Sequence, residues 1–488
     1  MDSLIHRIVE NVGANGFRLT AVINPDGFLS RPDTQENVLR ESGLLLLPVR
    51  SSIELRVRYE STDRWSEDRV CYIIEDLNWI LPDLRLKIYQ VPTFSLPKLF
   101  PALNAQVLMG YSLLSFAIAS YLYSKNYTYN LSAKETQEIL MDAQHAYGVS
   151  KEELIQELDS ISLDWNNTST IEEISRLICK ALKYDLYEEL EDKLSSINTD
   201  FQKYIDAQYF SKINSSAIPK PKMVNKILPY IARTYSRDEK VALVVIDGMA
   251  YWQYLLLEAE LHKQNIATIN SFTFAWLPSI TKLSRQAIFK GNIPQVSYSQ
   301  SPQAEKTLWE DFWTSQSGQK RFDSYNIGYT HGSLSIDNNN KSRQALVETS
   351  LDDKMHAVAN LRELYILTEE WAKDAATDIK ALYDMGYQIY ITTDHGNIQA
   401  SPWRLLTSQE KTFLYEKESR GRRHLIYSDN NHLNRFISER EDIKEELLIK
   451  ENWAVWRNTR SFSNKPGITH GGSHFMEVVI PFITINKK

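Results

Sequence analysis

The sequence predicts an α/β protein whose C-terminal half carries a mainly parallel sheet with helices on both faces, preceded by a small mixed α/β unit and a helical module. Three observations lead there. Beyond residue 238 short apolar runs alternate with helix-period stretches: 241–246, a helix over 251–263, then strands at 266–274, 388–392 and 478–485. Such a succession buries parallel strands between two layers of helix. Upstream, residues 101–235 show helical periodicity with capping-box starts at Ser132-x-x-Glu135, Ser150-x-x-Glu153 and Thr170-x-x-Glu173. Finally, the acidic residue Asp247 stands where the six-residue apolar run 241–246 ends, the kind of place where α/β sheets build sites.

Residues 1–100 contain strand-like runs at 44–49, 53–59 and 70–74 and a turn at Asn24-Pro25-Asp26-Gly27, without any catalytic constellation. The stretch 99–124 has no charged residue, yet Pro101, Asn104, Gln106, Gly110 and Ser112 interrupt it. It predicts a buried helix, not a membrane span. Glu188, Glu189, Glu191 and Asp192 read as a solvated helix face. The Ser/Pro/Lys-rich stretch 214–222 reads as a linker, so the expected division is 1–100, 101–235 and 236–488.

The 488 residues are 43% hydrophobic and 24% charged with a net charge of -7, which argues against nucleic-acid binding by the surface as a whole. An anionic substrate then needs a local source of positive charge. Two cysteines, Cys71 and Cys179, without CxxC spacing, exclude a disulfide scaffold and a thiolate zinc site and suggest a reducing compartment. The N-terminal Met1-Asp2-Ser3-Leu4 has an early acid and starts no long apolar run, so a cytoplasmic protein is expected.

Chemistry gathers at the strand ends. After Asp247 come Asp352 and His356, which an i, i+4 spacing puts on one helix face, then the adjacent Asp394 and His395 with Gly396, then His470 before two glycines. Three carboxylates and three imidazoles suffice for two metal ions with open positions. Leu277-Pro278-Ser279-Ile280-Thr281 opens a helix, and either Ser279 or Thr281 can present a hydroxyl at its positive end or simply cap it. Arg285, one turn further on, is a candidate phosphate contact. The basic cluster Arg420-Gly421-Arg422-Arg423-His424 suits a solvated loop better than a substrate contact.

In order, VVIDGM, LPSITKLSRQAIFKGNIP, DDKMH, TTDHG and THGGSHFMEVVIPF resemble the PglZ domain, a branch of the alkaline phosphatase superfamily, over roughly residues 240–488. The nucleotide pyrophosphatase/phosphodiesterase branch is also similar around 278–294, and that likeness selects Thr281 over Ser279. The resemblance implies that Asp352, His356 and His470 hold one ion, and that Asp247, Asp394 and His395 with the Thr281 oxygen hold the other. Zinc is the expected metal, with manganese as the alternative. It further implies a metal-dependent phosphohydrolase with Thr281 as nucleophile, acting on phosphodiesters or nucleotides in bacterial anti-phage defence, with residues 1–235 meeting other defence proteins. The competing expectations are a scaffold subunit that keeps the metals as a structural core, a phosphomonoesterase, and a phosphomutase. Thr330-His331-Gly332 imitates the last motif but matches no ligand position of the family; His474 is left open as a metal contact, and Glu477 is expected to support His470 or the sheet without a catalytic part.

Overall fold

The computed structural model describes residues 4–111, 114–147, 151–315, 322–335, 341–415 and 422–487. The chain forms two compact units, Met1–Glu153 and Leu154–Lys488. That partition differs from the three parts expected, and packing explains it. The helix Glu191–Tyr204 is bonded into the C-terminal half: Asn198 donates to the Arg457 carbonyl at 2.8 Å and Gln202 to the Ser473 carbonyl at 2.8 Å. The supposed linker 214–222 is likewise held, with Lys222 accepting from the Phe274 N–H at 3.2 Å at the sheet edge.

In the first unit four parallel strands, Leu44–Pro48, Arg69–Ile74, Leu19–Ile23 and Tyr89–Val91, lie side by side in that order. The predicted strand at 53–59 is instead the helix Ser52–Arg58. Ile53, Leu55 and Val57 alternate with charged residues as in a strand, but only Leu55 is buried, and Ser51 caps the helix by accepting from the Glu54 N–H at 3.1 Å. The apolar stretch expected as one buried helix is broken into Leu96–Leu99, Ala105–Gly110 and Phe116–Lys125. New N-caps cause the breaks: Asn104 accepts from Val107 N–H and Ser115 from Ile118 N–H, each at 3.2 Å. Among the described residues no helix is long and apolar enough to cross a membrane.

Of the capping-box starts, Ser132 and Glu135 form both reciprocal bonds. The helix Thr168–Lys183 begins earlier than Thr170, on the cap Asn167, because Asn167 reaches the Ser169 N–H at 3.1 Å. Ser150, Arg420 and Gly421, with 1–3 and 112–113, lie outside the described residues.

The second unit is built on a six-stranded sheet ordered Phe272–Phe274, Val479–Ile485, Gln388–Thr392, Val241–Ile246, Arg343–Glu348, Ile327–His331. The last four run parallel; Val479–Ile485 is antiparallel to both neighbours, so the sheet is mixed at one edge. Strand 241–246 is buried along its whole length. Val241, Leu243 and Val245 pack with the helices Ile227–Thr234, Thr281–Lys290 and Pro302–Thr314 on one face. Alternation turns Ala242, Val244 and Ile246 to the opposite face, where the helices Tyr251–Lys263 and Leu361–Asp384 pack on each other. The expected strand at 266–274 is confined to Phe272–Phe274.

Between Asp394 and His470 the chain adds two small sheets that the sequence reading did not foresee. In one of them Ile398–Pro402 pairs antiparallel with Gly467–Thr469, Ile398 opposite Thr469. This pairing returns His470 to His395 across some seventy residues of sequence.

Candidate active site

Asp247 follows strand 241–246, the helix Ser350–Ala357 follows strand 343–348, and Asp394-His395 follow strand 388–392, so three loops leave the sheet at one end. Glu348 accepts from the Ser350 N–H at 2.7 Å and sets the start of the helix that carries Asp352 and His356. Gly248 turns with φ 73, its N–H donating to Asp394 Oδ1 at 3.1 Å; a Cβ there would stand 3.3 Å from Asp352 Oδ1 in a backbone conformation L side chains avoid.

Two ligand groups result. Donor atoms of Asp247, Asp394 and His395 lie within 4.8 Å of one another, and so do those of Asp352, His356 and His470. The rings of His395 and His470 stack at 3.7 Å, and those of His470 and His356 are 6.1 Å apart, so the groups adjoin.

Surrounding bonds aim the donor atoms. His395 Nδ1 is 3.0 Å from the Gly396 carbonyl and His470 Nδ1 is 3.1 Å from the Ser279 carbonyl. A carbonyl only accepts, so both rings donate from Nδ1, which leaves Nε2 as the ligating nitrogen of each. Asp394 Oδ1 accepts from the N–H groups of Gly248 and His395, each at 3.1 Å, while Asp247 Oδ2 accepts from Arg285 at 2.7 Å. The other oxygens, Asp247 Oδ1 and Asp394 Oδ2, are buried without a hydrogen-bond donor among the described residues.

Burial, reinforced by the neighbouring Asp394 charge, pushes the Asp247 carboxyl well above its ordinary range. Burial also acts against the Asp394 anion, but His395, Arg285 and the Gly248 N–H outweigh it and hold that carboxyl low. Burial and the His395 ring drive His470 well below the usual imidazole range, so it is neutral. Carboxylate oxygens beside imidazole nitrogens are the donors a divalent ion takes up, releasing any proton they hold, and they suit zinc or manganese.

Thr281 is the first residue of the helix Thr281–Lys290, and its Oγ1 lies 3.0 Å from His395 Nε2. Ser279, the other candidate hydroxyl, is fully buried, donates to the Gly472 carbonyl at 2.7 Å and accepts from the Gly471 N–H at 3.2 Å. Thr281 therefore offers the hydroxyl beside the ligands, and Ser279 fastens the loop after His470.

Arg285 corrects the expectation of a phosphate contact. Its guanidinium is 3% exposed as a residue and is bonded to Asp247 at 2.7 Å and to buried Glu305 at 2.8 Å, with His331 Nε2 3.1 Å away. Tyr329 also donates to Glu305 at 2.6 Å. Arg285 thus sets the orientation of Asp247, and His331, which imitates a ligand motif, stands behind the site against that arginine. Spacing in the sequence holds no sign of this network, because Glu305 and Asp247 flank Arg285 on separate elements.

Two further neighbours resolve into supports. Arg423 and Glu477, both inaccessible to solvent, pair at 2.9 and 3.0 Å, and Glu477 also accepts from the N–H of Gly472 at 2.8 Å. His474 caps the short helix Phe475–Val478 by accepting from the Met476 N–H at 3.3 Å, kept neutral by burial and by Arg423. Among the described residues of the basic cluster, Arg422 lines the open space beside His356.

The family model of the BREX system PglZ alkaline phosphatase-like domain matches residues 229–485. Among solved structures, murine ectonucleotide pyrophosphatase/phosphodiesterase 5 is 13% identical with a TM-score of 0.36, over 51% of this chain and 88% of that one. Phosphonoacetate hydrolase from Sinorhizobium meliloti 1021, in complex with phosphonoformate, is 11% identical with a TM-score of 0.32, over 51% and 91%. No curated protein matches the sequence.

Proposed function

The chain belongs to the PglZ family of alkaline-phosphatase-like domains, and from that premise we propose that it is a two-metal phosphohydrolase acting on phosphodiesters, with Thr281 as nucleophile. One observation carries the reading: a threonine hydroxyl at a helix N-terminus, 3.0 Å from His395 Nε2, beside two adjoining three-residue ligand groups. Two divalent ions, zinc before manganese, would sit on Asp247/Asp394/His395 and Asp352/His356/His470 and supply Lewis-acid charge to the phosphate oxygens.

The protein's own part is positional. Arg285 and the Gly248 N–H hold one oxygen of Asp247 and of Asp394, leaving the second oxygen of each directed inward. The 281–290 helix begins at Thr281, beside His395, so its positive N-terminal end faces an anion held there. Thr281 Oγ1 attacks phosphorus as the bond to the leaving oxygen breaks; the hydroxyl proton passes to solvent and the leaving oxygen takes one up. Water then cleaves the phosphothreonine and restores the hydroxyl. The family's BREX description supports a place in bacterial anti-phage defence inside the cell, with residues 1–235 as the region available to other proteins of that system.

Chelator-dialysed protein should hydrolyse bis(p-nitrophenyl) phosphate only after zinc or manganese is restored, with two ions per chain by elemental analysis. It should prefer this diester to p-nitrophenyl phosphate. Hydrolysis that survives complete metal removal, or its absence with every ion tried, would overturn the reading.

A further inference from the structure

A cleft of about 560 Å3 opens beside the second ligand group, with His356 in its wall and Thr469, the residue before His470, at its side. Arg422 and Lys465 also line it. Both are exposed, and neither has a carboxylate partner among the described residues. Their backbones are fixed all the same. The Arg422 carbonyl accepts from the Phe462 N–H at 2.7 Å, and Ser463 Oγ both donates to the Lys465 carbonyl at 2.9 Å and accepts from its N–H at 3.1 Å. Arg422 holds φ 47, a left-handed backbone that a side chain normally avoids. One acid, Asp353, shares the wall, so the cleft is positive by one charge in a chain whose net charge is -7. An exposed cation gains most from a phosphate held between it and a second cation.

The order of side chains gives the cleft its direction. Thr281 touches His395 at 3.0 Å, His395 stacks on His470 at 3.7 Å, His356 is 6.1 Å from His470, and the cleft begins at His356. In an in-line displacement the leaving group departs on the side opposite the nucleophile. Thr281 adjoins the first ligand group and the cleft adjoins the second, so the cleft is assigned to the leaving group.

We propose that this cleft binds the leaving half of the substrate, and that this half itself carries a phosphate recognised by Arg422 and Lys465. The inference rests on the hydrolase reading above and narrows it to phosphodiesters with a phosphorylated leaving group. Such a group is found in a nucleic-acid strand and in a nucleoside polyphosphate.

The test compares kcat/KM of the zinc-loaded full chain for dithymidylate, whose leaving group has no phosphate, trithymidylate, in which one bond has a phosphorylated leaving group, and ATP. Trithymidylate should exceed dithymidylate by about tenfold, and in Arg422→Ala/Lys465→Ala that ratio should fall toward one, the loss of a charge-assisted contact pair. Lys465→Arg alone should retain it. A double-variant defect confined to ATP assigns the cleft to a polyphosphate, and one confined to trithymidylate assigns it to a strand. A trithymidylate-to-dithymidylate ratio and an ATP rate both unchanged by the double substitution overturn the proposal while leaving the hydrolase reading intact. If the wild type turns over none of the three and no aryl diester either, the hydrolase reading fails, and in any case of inactivity on the three calorimetry with pyrophosphate on zinc-loaded Thr281→Ala decides the cleft separately. Binding weakened about tenfold by the double substitution supports the cleft, and equal binding overturns it.

Discussion

Thr281→Ala should abolish turnover of an aryl phosphodiester, with kcat reduced by about a thousandfold or more, because the proposed covalent step would lose its nucleophile and keep only binding and electrostatic stabilisation. The metal content and melting temperature of the variant should stay close to the wild type, since the Thr281 residue is only half-buried and its hydroxyl meets His395. Thr281→Ser retains the hydroxyl and should recover most of the activity. A label from radioactive substrate trapped in acid on wild type and absent from Thr281→Ala identifies the phosphothreonine. Ser279→Ala separates a chemical role from a supporting one. It removes two bonds to the loop after His470 and should lower metal affinity and activity together, without abolishing the label. Full activity in Thr281→Ala would remove the nucleophile from the scheme altogether.

The second large effect concerns Arg285. Replacing it by methionine leaves Asp247 and Asp394 facing each other without their buried cation, and breaking such a pair costs about 3–5 kcal/mol. The loss depends on pH in a direction that the Asp247 carboxyl fixes. Its folded pKa lies well above the ordinary value because of burial and Asp394, so the folded protein holds that proton where the unfolded chain has released it. The stability this group contributes is therefore full below about pH 4 and declines as pH rises through the elevated folded value. Metal-free Arg285→Met should thus melt furthest below the wild type in alkaline buffer, and less so in mildly acidic buffer. Zinc should narrow the gap, since an ion replaces the missing charge. Metal binding to the wild type should release a proton below the raised pKa, measurable by calorimetry in buffers of different ionisation enthalpy. A Tm difference that is the same across pH, with and without zinc, would show that Arg285 does not govern the Asp247 charge.

The sequence made one class of information legible and hid another. Strands 241–246 and 388–392 and the helix 251–263 could be read to their ends because apolar runs and periodicity are local. The ligand candidates were legible for the same reason: each stands next to a strand end or within one helical turn of its partner, as Asp352 and His356 do. The supports were not. Arg423 finds Glu477 54 residues away, and Arg285 reaches Asp247 38 residues back, pairs that no short window contains. Ser279 and Thr281 look equivalent as helix starters; family likeness favoured Thr281, and the bonds of Ser279 to Gly471 and Gly472 supply the physical reason. At 53–59 the period-two alternation of Ile53, Leu55 and Val57 suggested a strand, whereas the Ser51 cap decided for a helix.

The attachment of the helix 191–204 to the segment after His470 bears on how the protein can be divided. Asn198 accepts from the Phe475 N–H at 3.2 Å, and Gln202 both donates to the Ser473 carbonyl and receives the Ser473 hydroxyl at 2.9 Å. Excision at residue 229, where the recognisable domain begins, would strip these partners from a turn three residues past His470 and bare the apolar faces of Phe475 and Phe274 that Trp165, Phe201 and Tyr204 cover. A fragment cut there should express poorly and retain metal weakly, whereas one beginning at 154 keeps the clasp. The smallest autonomous piece is thus longer at its leading end than its recognisable motifs, and fragments of 154–488 and 229–488 compared for bound zinc would measure what that extra length contributes.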